Sequence, residues 1–193
     1  MPDRNQMTLN SVPWWNAIAG EWLDAGDWRE DPDAELTCQH VYPPVLEVGC
    51  GVGSWAKVLA AKWPGVSYLG LDISKRMVDA CRLRVPGHVF MNMDILQLPD
   101  FWHGSFYTAV AFQTLEHFED PAPVLDKLKL LATRRLVFSV PRGMPGPASR
   151  QHNGHVFGWE DDAEAEAYLS VWGRVRFLPG RPEHIVGTVD WNQ

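Results

Sequence analysis

The side chains of this chain that could do chemistry sit in a few short stretches. In Glu47-x-Gly49-x-Gly51-x-Gly53, glycines alternate directly after the apolar run Val45-Leu46-x-Val48, and a helical pattern, Trp55 to Ala61, follows. Glycine tolerates positive φ and lets a ligand lie against the main chain, while a helix start offers unpaired N–H groups. The stretch reads as a nucleotide-type cofactor loop, or else as a βα turn that needs glycine for its own shape. Asp72 stands about 20 residues further on, where a doubly wound nucleotide fold places a carboxylate for ribose hydroxyls. Its other use would be to cap the next helix, but Ser74 is better placed for that. Asp94 and Ile95 follow a third apolar stretch and open a loop. Glu116-His117 and, further on, His155 complete the set, and a histidine can move a proton near its own pKa. Alternatively, His117 hydrogen-bonds its own loop and His155 packs beside Trp159.

The elements that must carry these residues alternate between strands and helices. Val45–Val48 is the first strand, Val66–Leu71 the second, His88–Met93 the third, Phe106–Phe112 the fourth and Arg135–Pro141 the fifth. Helices are expected at Trp55–Ala61, at Lys75–Leu83 behind Ser74, and at Val124–Leu131 behind Asp120 and Pro121. Ala132-Thr133-Arg134 reads as the turn into strand five. A helix at Glu160–Trp172 and an antiparallel pair, Val175–Leu178 with Ile185–Val189, bring the expected strands to seven. Ahead of all this, Val12 to Leu23 has apolar residues at helical spacing with Ser11 as cap, while Asp24 to Gln39 reads as a loop or broken helix. Residues 1–10 are read as disordered.

Bulk composition narrows the class. A chain of 193 residues, 46% of them apolar, is enough for one α/β domain with a buried core. Seventeen basic against 24 acidic side chains give a net charge of −7, which disfavours nucleic acid as a partner. The three cysteines, Cys38, Cys50 and Cys81, form no C-x-x-C pair and are expected as reduced thiols. No signal-peptide core and no run of about 18 apolar residues is present, so a soluble, cytoplasmic protein is expected, with no membrane partner. The oligomeric state is not legible.

Spacing argues against the dinucleotide fingerprint G-x-G-x-x-G. The order Glu47-x-Gly49-x-Gly51-x-Gly53, together with Asp72, the "MDI" at Met93-Asp94-Ile95 and the "LEHFEDP" phrase at Leu115–Pro121, resembles the class I S-adenosylmethionine-dependent methyltransferases. The resemblance covers about residues 40–190 and implies a single-domain doubly wound sheet in the order 3-2-1-4-5-7-6, with strand 7 antiparallel. It implies a methyltransferase domain over residues 41–193, preceded by an extension, residues 1–40, that carries an amphipathic lid helix. It also implies S-adenosylmethionine as cofactor. The glycine loop would take the amino-acid end, with Glu47 supporting the loop or meeting the ammonium group. Asp94 would accept from the adenine amine, and the Ile95 N–H would meet a ring nitrogen. Cys50, Ile73, Gln113 and Leu115 would complete the cofactor contacts.

Methyl transfer from a sulfonium needs chiefly alignment, and a base only when the acceptor is protonated. His117 and His155 are the candidate bases. Trp14 and Trp15 are either walls of the acceptor pocket or the buried face of their helix, and Phe118, Phe157 and Trp159 are further candidate walls. Such a lining suits a small, aromatic or otherwise apolar acceptor for O- or N-methylation. Two alternatives stay open. Gln113-x-x-Glu116-His117 with Arg150-x-His152-x-x-His155 also resembles the divalent-metal site of small-RNA 3′-end 2′-O-methyltransferases, although Gln113 is a weaker ligand than a glutamate. A non-catalytic binder of the cofactor would keep the same loop. The preferred reading has no metal, so activity should survive a chelator.

Overall fold

The computed structural model describes residues 7–24, 33–146 and 153–191. Helix α1 (Val12–Asp24) precedes a short α2 (Ala34–Thr37), and then strands and helices alternate: β1 (Val45–Val48), α3 (Ser54–Lys62), β2 (Tyr68–Asp72), α4 (Lys75–Arg84), β3 (Val89–Asn92) and β4 (Phe106–Phe112). After α5 (Ala122–Leu131) come β5 (Ala132–Pro141), α6 (Asp162–Leu169), β6 (Gly173–Phe177) and β7 (His184–Trp191). The sheet runs β3-β2-β1-β4-β5-β7-β6, with β7 antiparallel to both β5 and β6 and the other pairs parallel. The expected strand order is the one observed. Its reversal between β1 and β4 opens a crevice at the carboxyl ends of those strands, where open α/β sheets bind ligands.

Both faces of the sheet are covered. β1 is buried on each side: Leu46 and Val48 join a cluster with Leu125 and Leu128 of α5 and Leu169 of α6, while Val45 joins Ala34, Trp55 and Leu59 on the α2–α3 face. Burial on both faces explains why this strand is a continuous apolar run except for Glu47. A separate cluster joins Trp14, Ile18 and Ala19 of α1 to Val52, Met77 and Ala80, so α1 packs over the loop after β1 and the start of α4. Asn16 holds it there, its Oδ1 accepting from Ser74 Oγ (3.0 Å) and the Arg76 N–H (3.3 Å).

Ser74 caps α4 as expected, its Oγ accepting from the Met77 N–H at 3.3 Å, whereas α5 starts earlier than expected with Pro121 at its cap position, and Asp120 Oδ1 accepts from the Ala122 N–H at 2.9 Å from one residue ahead. Strand five departs from the expectation. No turn separates α5 from β5, because Ala132 already pairs with Phe106 and a register shift before Thr108 takes up the bend. Arg134 lies 5.2 Å from the Tyr42 ring and 5.1 Å from that of Tyr107, which holds these residues extended. α6 is shorter than expected at both ends: Asp161 caps it through the Glu164 N–H (2.9 Å), and Ser170 ends it. The broken-helix reading of residues 24–39 is met by α2 in its described part. All three cysteines are free and buried, with Cys50 and Cys81 sulfurs 3.8 Å apart.

Candidate cofactor and acceptor site

The loop after β1 is built from left-handed glycines: Gly49, Gly51 and Gly53 have φ of 70°, 52° and 78°. They do different work. A Cβ on Gly49 would come 2.4 Å from Thr114 Oγ1, a hydroxyl that donates to the Phe112 (2.8 Å) and Val48 (3.2 Å) carbonyls and so ties the ends of β4 and β1 together. A Cβ on Gly51 would meet nothing within 4 Å, so this glycine faces open space. Gly53 is the left-handed cap of α3 against Cys81 and does not line the cavity, contrary to its expected contact role; its place is to turn the chain.

Asp72, at the end of β2, braces this loop. Its Oδ2 accepts from the Gly51 N–H at 3.0 Å and its Oδ1 from the Ser74 N–H at 2.8 Å. Burial pushes its pKa up to about 6 against the opposing pull of those two bonds. Glu47 is buried and accepts from the Tyr68 hydroxyl, so Tyr68 fixes it under the loop. Asp94 accepts from the Leu96 N–H at 2.9 Å, opening its loop as a short cap while still lining the cavity.

A cavity of about 710 Å3 runs from these residues to the carboxyl end of β4 and the amino end of the antiparallel β7. Glu47, Gly49, Cys50, Gly51, Asp72, Ile73, Asp94, Ile95 and Gln113 line one part; Trp14, Trp15, Phe118, Glu116, His117 and His155 line the other. Trp14 is buried in the α1 cluster and also walls the cavity, while Trp15 sets its edge against His117 at 4.6 Å. Gln113 is in the left-handed region at φ 47°, unusual for a residue with a side chain, and is held there by its N–H on the Ser139 carbonyl (2.8 Å) and its amide on Ser139 Oγ (3.0 Å).

Three expected contacts are corrected. Leu115 is fully buried in the main core and does not line the cavity. Phe157 and Trp159 also turn into that core, edge to face with each other at 5.1 Å and packed on Tyr168, because the Val156 and Phe157 N–H groups bond to the Glu116 carbonyl and turn the chain back toward β5. Arg150 and His152 lie outside the described residues.

Glu116, His117 and His155 come together although about forty residues separate the second from the third. Asn10 donates to the carbonyls of both His117 and Gly154, each at 2.8 Å, which draws the two loops together. The His117 Nδ1–H faces the Gly154 carbonyl at 3.1 Å and leaves Nε2 4.0 Å from Glu116 Oε1; His155 Nε2 is also 4.0 Å from that oxygen. Glu116 is 1% exposed, and among the described residues neither carboxylate oxygen has a hydrogen-bond partner. Burial accordingly raises its pKa to about 8, and burial lowers His117 to about 4 and His155 in the same direction. At neutral pH the trio is a mostly protonated acid beside two neutral imidazoles.

This has a measurable consequence for the fold. Between about pH 4.5 and 8 the unfolded chain has already ionised Glu116 while the folded chain has not, so stability falls as pH rises through that window. In urea melts Glu116→Gln should flatten this slope; an unchanged slope would remove Glu116 as its origin.

Sequence reasoning missed His184 and Asn10, which also line the cavity, because neither belongs to a motif. Asn10 leaves one trace, its lone position before the cap Ser11.

Residues 45–132 match the family model of a methyltransferase domain. That match takes in just under half of the chain, whose sheet has the order expected of the class I S-adenosylmethionine-dependent methyltransferases. The cofactor this likeness calls for is S-adenosylmethionine. The open face of Gly51 and the acceptor carboxylate of Asp72 fit that group. A trans-aconitate 2-methyltransferase of Methylobacterium nodulans is 29% identical over 136 residues, 68% of this chain and 52% of the relative. The chain thus spans about half the length of that curated relative. Among solved structures, a chain of the complex between the Haloferax volcanii Trm112 methyltransferase activator and a methyltransferase superposes with a TM-score of 0.73 at 14% identity, covering 97% of this chain and 100% of that chain. Magnesium protoporphyrin IX methyltransferase of Synechocystis, with bound S-adenosylmethionine, gives 0.57 at 19% identity, covering 97% and 86%. These two share the fold. No helix of the described residues is long and apolar enough to cross a membrane.

Proposed function

We propose that this methyltransferase moves the sulfonium methyl of S-adenosylmethionine to an oxygen or nitrogen of a small, largely apolar or aromatic acceptor. One observation carries the reading: a single cavity joins the glycine loop and Asp72 to a chamber walled by Trp14, Trp15 and Phe118. The bound cofactor supplies an electrophilic methyl group and a good leaving group. The chain's share is to hold the ribose at Asp72 and the adenine at Asp94, to shield the chamber with α1, and to orient the acceptor. His117 and His155, kept neutral by burial, serve there as hydrogen-bond acceptors that point a hydroxyl or amine. The relatives' trans-aconitate is a tricarboxylate. Such an acceptor fits this cavity poorly, because no lysine or arginine is among the described lining residues while Glu21 and Glu116 are.

A second reading rests on Glu116. A buried carboxylate without a hydrogen-bond partner, with a histidine Nε2 4.0 Å away on either count, has the spacing of ligands each about 2.1 Å from one divalent cation. The Nδ1–H of His117 on a backbone carbonyl is the outer-shell contact that orients a metal-binding imidazole.

Both readings meet one experiment. With labelled S-adenosylmethionine and a cell extract, label should enter the small-molecule fraction at a rate that EDTA leaves unchanged. Loss of transfer in EDTA with recovery in manganese or magnesium would move the reading to the metal. Label confined to RNA or protein would overturn the substrate class.

A further inference from the structure

We propose that His184, backed by Asp33, is the base that takes the acceptor's proton in this reaction. The inference rests on the methyl-transfer reading above and adds to it a catalytic residue that no motif supplies. His184 opens β7 and pairs in register with Pro141, at the carboxyl edge of the sheet, and it lines the same cavity as the glycine loop. Gln113 bonds to Ser139 on β5, so His184 stands two strand spacings, about 10 Å, from the end of β4. A small acceptor between them spans that distance.

The local arrangement prepares this ring for proton transfer. Its Nδ1–H faces Asp33 Oδ2 at 2.7 Å, and the Arg181 N–H donates to Asp33 Oδ1 at 3.3 Å. Asp33 is 3% exposed and sits at the start of α2, on the sheet face opposite α5 and α6. A buried carboxylate on Nδ1 fixes the tautomer and leaves Nε2 as the basic nitrogen; among the described residues no group bonds to it. The same carboxylate stabilises the imidazolium that forms. His117 has the opposite setting, with burial working against its charge and only a carbonyl on its Nδ1. Of the histidines lining this cavity, His184 is the one with a carboxylate on its Nδ1 among the described residues.

The balance is simple. As the acceptor oxygen gains the methyl group its O–H bond breaks toward His184 Nε2; the sulfonium charge is lost when the cofactor leaves as a neutral thioether, and it reappears on the imidazolium. Solvent then takes the proton, since the ring is partly exposed, at 16% of its side chain.

The test uses the acceptor fraction that the wild type labels. His184→Gln keeps a donor for Asp33 but no base, and should lower kcat on the order of 100-fold or more while S-adenosylmethionine affinity stays within about threefold. In His184→Ala, added imidazole should restore part of the rate, which a merely structural tether between α2 and β7 would not allow. Full rate in His184→Gln, or a loss of rate that tracks loss of cofactor binding and of melting temperature without imidazole rescue, overturns the proposal. A wild type that binds S-adenosylmethionine and labels no acceptor overturns the reading beneath it, and this proposal with it.

Discussion

Replacing Asp72 by alanine should weaken S-adenosylmethionine binding about ten- to a hundred-fold. The carboxylate already accepts from the Gly51 and Ser74 N–H groups and lines the cavity with capacity left for two ribose hydroxyls. Losing a charged acceptor typically costs about 1.5–3 kcal/mol, which is that range of affinity. Asp72→Asn should fall between alanine and wild type, since it keeps the volume and one acceptor oxygen. The raised pKa adds a pH signature. Ribose hydroxyls donate to the ionised carboxylate, so affinity should be level above about pH 6 and fall about tenfold per unit below it. Calorimetric titrations at pH 5 and 7.5 check this; an affinity independent of both the substitution and pH would remove Asp72 from the cofactor site.

The second large effect separates two glycines of one loop. Gly49→Ala should cost about 2–5 kcal/mol of stability, because its Cβ would come 2.4 Å from a threonine oxygen that ties two strands and its φ of 70° disfavours any side chain. Gly51→Ala has the milder backbone cost of about 1–2 kcal/mol, since its Cβ meets no protein atom. That Cβ would instead fill space the cofactor needs, so binding should drop below detection while the fold survives. Urea melts and cofactor titrations on both variants read the difference. Equal loss of stability with equal retention of binding would show that Gly51 does not face the cofactor.

Much of this architecture is legible in the sequence because the signals are local. Alternating glycines, Ser74 before a helix and apolar runs closed by Asp72 act within a few residues, so the alternating strands and helices follow from them, while the strand order comes with the family resemblance that those motifs carry. The acceptor half depends on long-range packing. Trp159 and Phe157 read as pocket walls in an aromatic-rich loop, but two backbone bonds to the Glu116 carbonyl turn them into the core. His184 and Asp33 are 151 positions apart and carry no pattern, so nothing short of the folded sheet joins them. The start of β5 was hidden for a related reason: Arg134 looks like a turn residue until Tyr42 and Tyr107 are seen on either side of it.

The central claim is that this cavity takes S-adenosylmethionine, and a calorimetric titration of the wild-type protein tests it most directly. One equivalent of S-adenosylmethionine, or of its demethylated product, should bind per chain, with NAD giving no saturable heat. The absence of S-adenosylmethionine binding at millimolar concentration, or tighter binding of NAD, would contradict the account.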